Sequence, residues 1–366
     1  MKMMKTEEDA SFIVINTRPL SPIHESPENE FLHKESSLRY VKVQDQSFRT
    51  RYRPCLLKLL AIGLLLFWTG YELFSSEWSR TMYGQQKAWL SSCLYHQRPD
   101  PIRIGDLPSD MLPTTSGNRD PRRLVVVGDT HGMKDSLVRL LDEVKFNSKQ
   151  DHLILVGDLV AKGPDSAGVL DLAYSLGASC VRGNHEDQVI QAWNDMQQAH
   201  QSFTDTTDNN ETNSESTGYD KKHELLAMNL GRRRIEWIKT WPTILRVGKM
   251  GDLGEVIVAH AGLEPGVALK NQDPFMVMNM RSIKHNVLTD KHHGKSWSKK
   301  WNKYQISLHQ SKRQTVIYGH DAKRGLQIKH YSLGIDSGCV KGKKLTAAVL
   351  EGDKNGFTYS LVQIKC

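Results

Sequence analysis

Apolar and polar positions fall into three regimes along the chain. Residues 1–53 are polar, with Ser, Glu and Pro scattered through stretches such as SPIHESPENE, and they carry no sustained period of 2 or 3.6. Such a segment buries too little apolar surface to offset its chain entropy, so a disordered tail is expected. Residues 56–74, LLKLLAIGLLLFWTGYELF, are then apolar almost without a break. That is close to the roughly 20 residues needed to cross a bilayer. Lys58 and Glu72 sit near the ends, where their charges can snorkel, and Trp68 and Tyr71 suit the interface. The pattern predicts a transmembrane signal-anchor helix over 54–75, followed by a linker over 76–119. From residue 120 to 366 the pattern becomes that of a folded domain. RRLVVVG, HLILVGD and ASCVRG read as strands, separated by the amphipathic helices DSLVRLLDEVKF and SAGVLDLAYSLG. That alternation predicts a βαβαβ unit with a parallel sheet. A polar run at about 200–220, QSFTDTTDNNETNSESTG, reads as a disordered insert. Beyond it HELLAMNLGRRRIEWIKTW reads as helix, and GEVIVAHAG, TVIYGH, LGIDSG and LTAAVLEGD read as short strands. The expected class is α/β (α+β), a mixed sheet or β-sandwich flanked by helices.

Charge adds a direction to this picture. The chain of 366 residues carries a formal net charge of +8, which favours an acidic partner or surface. Lys34, Arg39, Lys42, Arg49, Arg51 and Arg53 precede the apolar segment, whereas only Arg80 and Lys87 follow it closely. The positive-inside rule then keeps the N-terminus in the cytosol and sends the domain into a lumen, a single-pass type II arrangement. Asn210, in an Asn-Glu-Thr sequon within the polar insert, is a glycosylation candidate on that side. Five cysteines are too few to build a fold on disulfides. Cys55 lies at the membrane edge, where acylation takes place. Cys180 and Cys339 lie in apolar contexts and are expected as buried free thiols. A Cys93–Cys366 bridge is one open pairing.

The strands of the domain end on residues that bind metals. LVVVGDTHG supplies Asp129 and His131, and HLILVGDLV supplies Asp158. CVRGNHED supplies Asn184, His185 and Glu186, VIVAHAG supplies His260, and TVIYGHD supplies His320. Ligand sites in open α/β sheets lie off the carboxyl ends of the strands, so these donors should converge. A lone Asp or His in such a place is a cap or turn residue; so many ends, each beside a Gly, call for a shared site. Two divalent cations held roughly 3.5–4 Å apart by a bridging carboxylate and outer imidazoles would activate a water against phosphorus. Asp158, with donors on both sides of it in sequence, is the natural bridge.

The motif order GDTHG, GDLVAKG, RGNHE, HAG and YGH resembles the metal-dependent phosphoprotein-phosphatase superfamily, whose fold is calcineurin-like. The resemblance spans about residues 120–365. It implies that Asp129 and His131 bind one metal, that Asp158 bridges, and that Asn184, His260 and His320 bind the second. It implies that His185 is the general acid, and that Arg281 and Lys162 hold phosphate oxygens. Zn2+ is the expected metal, with Mn2+ or Co2+ as alternatives that suit the same donors. Protein-phosphatase members carry an Asp-Arg pair where this chain has Ala161 and Lys162. Loss of that Asp leaves His185 without its orienting carboxylate. A phosphoanhydride leaving group needs less acid help than an alkoxide, so Ala161 points away from phosphoserine. GDLVAKGPDS, YGHDAKRGL and GIDSGCVKGKKLTA resemble the branch related to bacterial diadenosine tetraphosphatases, and within it the fungal vacuolar endopolyphosphatases. This implies a vacuole-membrane protein with its catalytic domain in the lumen, acting on inorganic polyphosphate and on no nucleic acid.

Lys323, Arg324, Lys341, Lys343 and Lys344 in the motif loops are candidate polyphosphate contacts; the alternative is a solvated basic face. Residues 291–305 add more Lys with two Trp, and Trp297 and Trp301, four apart, are expected as one buried stripe. His292 and His293, and the arginines at 232–234, are expected at the surface. The other enzyme readings are a dinucleoside-polyphosphate or mRNA-cap pyrophosphohydrolase, then a Ser/Thr protein phosphatase. The reading from another class is a catalytically dead lumenal scaffold, which would have no reason to keep every ligand position filled.

Overall fold

The computed structural model describes residues 10–13, 101–113, 122–205, 221–353 and 356–366. The apolar segment at 56–74, Cys55, Cys93, Asn210 and most of the linker lie outside the described residues. Among the described residues no helix is long and apolar enough to cross a membrane.

Two short strands come first, β1 (Ala10–Ile13) and β2 (Ile104–Asp106). Then β3 (Arg123–Val127), α1 (Lys134–Glu143), β4 (Asp151–Leu155), α2 (Ser166–Ser175) and β5 (Ser179–Cys180) make the expected parallel βαβαβ unit. Two long helices follow, α3 (Asn184–Asp205) and α4 (Lys221–Lys239), the latter broken at Gly231 by a left-handed backbone. β6 (Ile244–Lys249), β7 (Glu255–Ala259) and α5 (Pro274–Asn279) lead to a small sheet of β8 (Ser282–Lys284), β9 (Val287–Thr289) and β10 (Lys295–Ser296). The chain closes with α6 (Trp297–Ser307), β11 (Gln314–Tyr318), β12 (Gln327–Lys329), β13 (Ser332–Gly334), β14 (Lys344–Asp353) and β15 (Gly356–Lys365).

One six-stranded sheet has the order β1-β15-β14-β3-β4-β5 and the other β12-β13-β11-β7-β6-β2. Side chains alternate across each strand, so each sheet offers two apolar faces. Leu124 and Val126 of β3 and Ile154 of β4 join Val256 and Val258 of β7 and Ile317 of β11 in a core between the sheets. Val125, Val127, Leu153 and Leu155 point the other way, into a core roofed by α1 to α4. Ile257, Val316 and Tyr318 of the second sheet pack outward against Trp297 and Trp301 of α6. The Trp stripe is buried, as its spacing predicts. This layering explains why the strands read as unbroken apolar runs: both faces are covered.

Three expectations are corrected here. Ala10–Ile13, inside the segment read as structureless, pairs antiparallel with β15, from Ala10 opposite Ile364 to Ile13 opposite Leu361. Its apolar sequence ASFI can follow the open edge of a ten-residue strand. Helix α3 runs to Asp205, past the predicted start of the polar insert. Arg232–Arg234 lie at the surface as expected, with Arg234 in an exposed two-pronged ion pair with Asp171. Cys339 is not a free thiol: it is bonded to Cys366, which removes the Cys93–Cys366 pairing. The register sets Lys344 opposite Lys365, so the last residue meets the loop that precedes β14. Cys180 is free and buried, as expected.

Candidate active site

The carboxyl ends of β3, β4, β5, β7 and β11 open on one side of the domain, and after β3, β4 and β11 the chain turns there through strained residues. His131, Asp158 and His320 have φ of 44°, 52° and 68°, and Ala161 and Lys162 both lie at 68°. A non-glycine residue in the left-handed region costs about 1–3 kcal/mol, and such strain persists where function requires the geometry. Neighbouring glycines allow the close approach. A Cβ at Gly319 would strike the Asp129 carboxylate, and one at Gly183 would strike that of Asp158.

All six predicted ligand residues meet. Nε2 of His131 lies 3.5 Å from Oδ2 of Asp158 and 4.0 Å from the Asp129 carboxylate. On the other side, Nε2 of His260 lies 3.3 Å from Oδ1 of Asp158 and 3.2 Å from Oδ1 of Asn184. Nδ1 of His320 is 3.2 Å from the same His260 nitrogen. Asp158 thus faces two clusters, one with each oxygen. His131, Asp158 and His185 form one set of potential ligands, and Asp158, His260 and His320 the other.

The imidazoles are locked by the backbone. Nδ1 of His131 donates to the carbonyl of Val160 (3.1 Å) and Nδ1 of His260 to that of Val156 (2.9 Å). Nε2 of His320 donates to the carbonyl of Asn279 at 3.0 Å. Each ring therefore turns a bare nitrogen lone pair toward the centre, the arrangement of metal-binding histidines. Lone pairs of nitrogen and carboxylate oxygen face one another at 3.2–3.5 Å. That geometry is repulsive unless a proton or a metal cation sits among them; a metal would replace the proton, so the donor set fits divalent metal on both sides of Asp158.

Titration reports the same excess of negative charge. Burial, followed by the charges of Asp336 and Asp158, holds the Asp129 carboxyl well above its ordinary range. Burial resists ionisation of Asp158 too, but the imidazoles of His260 and His185 outweigh it and hold that group well below. Burial lowers His260, yet the Asp158 charge wins and raises it. A raised Asp129 means that the folded, metal-free chain keeps a proton the unfolded chain has lost. Its stability should therefore fall as pH climbs above 3.8, the ordinary aspartate value, and through the raised range. Divalent metal replaces that proton. The rise in melting temperature on adding Zn2+ should accordingly grow with pH, as differential scanning fluorimetry between pH 5 and 8 can read. A metal effect that shrinks with pH would contradict this assignment.

Both predicted phosphate-binding cations flank the clusters. Lys162 Nζ is 2.9 Å from Nε2 of His131, and the Arg281 guanidinium contacts Nε2 of His320. His185 lies beside the first cluster: its backbone N–H donates to Asp158 Oδ1 at 3.0 Å, and its ring stands edge-on to His131 at 5.1 Å. Burial pushes its imidazole down to about 4. Among the described residues its buried Nδ1 has no hydrogen-bond partner, which is the consequence expected of Ala161.

Three roles were not read from the sequence, among them that of Glu186, named there as a metal-type donor. The Glu186 carboxylate, fully buried, accepts the backbone N–H groups of Asp158, Leu159, Val160 and Gly183 at 2.8–3.1 Å. Burial and the Asp158 charge push it up to about 7. Asp336, buried behind Asp129, adds the second carboxylate of that pair. His292, expected at the surface, holds Asp321 at 2.8 Å and lines the cavity above His320. That cavity measures about 510 Å³ and is walled by Arg281, Lys291, Lys323 and His293 among others, with no Phe, Tyr or Trp.

Paired clusters of His, Asp and Asn joined by one carboxylate at the ends of parallel strands define a metallophosphoesterase. The chain belongs to the calcineurin-like phosphoesterases, whose family model matches residues 122–329, and it is a metal-using hydrolase. It is 28% identical over 296 residues to the zinc-dependent endopolyphosphatase of Saccharomyces cerevisiae, covering 71% of this chain and 88% of that one. It is 36% identical over 142 residues to the symmetrical bis(5'-nucleosyl)-tetraphosphatase of Pectobacterium atrosepticum, covering 38% of this chain and 43% of that enzyme's length. A solved structure described as a putative diadenosine tetraphosphatase superposes with a TM-score of 0.54 at 29% identity, over 72% of this chain and 98% of that one.

Proposed function

We propose that the protein is a two-metal endopolyphosphatase, cleaving phosphoanhydride bonds inside inorganic polyphosphate. The observation that carries this is the make-up of the cavity over the clusters: Arg281, Lys291, Lys323 and three imidazoles against one carboxylate, Asp290, and, among the described residues, no Phe, Tyr or Trp to stack on a base. Asp129 and His131 would hold one ion, Asn184, His260 and His320 the other, and Asp158 both. Bound there, two ions of zinc, manganese or cobalt would polarise a phosphoryl oxygen and acidify a water. Arg281 and Lys162 would orient the phosphoryl group between the clusters. His185, with no carboxylate partner on Nδ1, is a weak proton donor, which suits a polyphosphate anion as leaving group. The likeness to the yeast zinc-dependent endopolyphosphatase supports this substrate.

The competing reading is a dinucleoside-tetraphosphatase, favoured by the bacterial relatives. The purified chain should be assayed on long polyphosphate, diadenosine tetraphosphate and a phosphopeptide, with each metal added back. Higher kcat/KM on polyphosphate is expected; a higher value on the dinucleotide would install the alternative. In the same assay His185→Asn should slow polyphosphate hydrolysis by no more than about tenfold, below the 10²–10⁴-fold that a working general acid supplies. Its metal content should stay full. Loss of one ion would make His185 a ligand instead.

The same proposal places the domain in the vacuolar lumen. The Cys339–Cys366 bond supports an oxidising compartment. The β1–β15 pairing sets a condition on the anchor, because a single crossing at 56–74 would put Ala10–Ile13 and β15 on opposite sides of the membrane. Protease added to sealed vacuoles decides between them: loss of the first fifty or so residues with the domain spared would support the single crossing and deny the β1–β15 pairing. Protection of both would overturn the single crossing, and digestion of both would overturn the lumenal address.

A further inference from the structure

Lys323 lines two cavities. One lies over the clusters; the other, also about 510 Å³, opens on its far side. Lys323, Arg324, Lys343, Lys344 and Lys365 wall this second cavity, with no carboxylate and no aromatic ring among its lining residues. The sequence pointed to the first four; Lys365 is added by the fold, and Lys341 does not line the cavity.

The backbone holds these charges together. Residues 336–344 form one loop, fastened at its start by Asp336, whose carboxylate accepts the Gly338 N–H at 3.0 Å. Left-handed Gly338 and Gly342 bracket a single turn at Cys339–Lys341. The Cys339–Cys366 bond then ties this loop to the end of β15, and the Cys366 N–H donates to the Lys343 carbonyl at 2.8 Å. Lys343 and Lys365 are thereby fixed as neighbours. The Arg324 guanidinium is held by Asp321 and by the carbonyl of Arg281 at 3.0 Å. Asp321 offsets the Arg324 charge; the lysines gathered beside it repel one another, and a bound polyanion would lower that repulsion.

We propose that this second cavity is a distal phosphate subsite, which holds a stretch of polyphosphate a few units away from the bond being cut. The proposal rests on the polyphosphate reading above. A chain long enough to fill both cavities gains contacts that a short one cannot reach, so apparent affinity rises with length. The absence of aromatic side chains favours a bare phosphate chain over single-stranded nucleic acid, whose bases need stacking partners.

The test uses the full chain and the double variant Lys343→Glu/Lys365→Glu, both side chains being exposed. With EDTA present to stop turnover, fluorescence anisotropy of end-labelled long polyphosphate should show binding that weakens with salt. The double variant should bind about tenfold more weakly or worse, and Lys343→Arg/Lys365→Arg should bind as the parent does. With metal restored, the parent's KM should fall as chain length grows, and the Glu variant should lose that slope. Unchanged binding and an unchanged slope in the Glu variant would overturn the subsite, as would equal binding of an oligo-dT of matched charge. Absence of hydrolysis would instead sink the polyphosphatase reading and leave the EDTA binding result to stand or fall alone.

Discussion

Asp158→Asn is expected to leave a folded protein that has lost hydrolysis by on the order of 10³-fold, the upper end of what one preorganised electrostatic contact contributes. The two carboxylate oxygens are divided: Oδ1 faces His260 and Oδ2 faces His131. The amide keeps one oxygen, so only one cluster retains its shared ligand. The other receives an NH2 group, which can only donate. The fold should survive because the retained oxygen can still accept the His185 N–H, now made by Oδ1 at 3.0 Å. It also survives because the Asp158 backbone is held by Glu186, not by its own side chain. Metal analysis and kcat on the same sample decide the matter. Two equivalents of metal and full turnover in the variant would show that Asp158 is not shared.

The convergence that makes this variant informative was legible in the sequence for a physical reason. A strand buried on both faces is an apolar run, and Asp or His is confined to its ends. LVVVGD and LILVGD therefore display the strand and its exit in one stretch of letters. β15 was not legible in that way. GFTYSLVQIK mixes polar and apolar positions, because its outer segment is half-buried and only its later part packs into the cores. β8, β9, β10 and β12 are two or three residues long and owe their pairing to their neighbours rather than to their own pattern, whereas LGIDSG shows the end of β13. Cys339 looked like a buried thiol because apolar neighbours report burial and say nothing of a partner 27 residues away. His292 looked like a surface residue because Lys291, His293 and Lys295 surround it in sequence; its partner Asp321 comes from the far side of β11.

Glu186 shows the limit most clearly, and its replacement carries the largest expected loss of stability. In sequence it is one more acidic residue after Asn184 and His185. In the fold its two oxygens collect four backbone N–H groups, Leu159 and Val160 on Oε1, Asp158 and Gly183 on Oε2. These are the amides of the turn that throws Asp158 into the site. Val160, within that turn, also gives the carbonyl that orients His131. The carboxylate sits in the first turn of α3, where the free N–H groups of the helix favour negative charge. Glu186→Gln keeps the volume and one oxygen, but it sets an NH2 group against at least one pair of N–H donors. Each buried donor left without an acceptor costs about 1–3 kcal/mol, so two lost bonds predict destabilisation of about 2–6 kcal/mol. That is a large part of the roughly 5–15 kcal/mol that separates folded from unfolded domains. Glu186→Ala removes all four acceptor contacts and should fare worse. Urea unfolding of parent and Gln variant with EDTA present isolates the loop from the metal. The same comparison at saturating Zn2+ should show a smaller gap, because ligands held by metal hold the turn in place. Activity at saturating metal should fall as well, since Asp158 and His131 lose the frame that aims them. A Gln variant within 1 kcal/mol of the parent in EDTA would mean that the turn stands without the carboxylate.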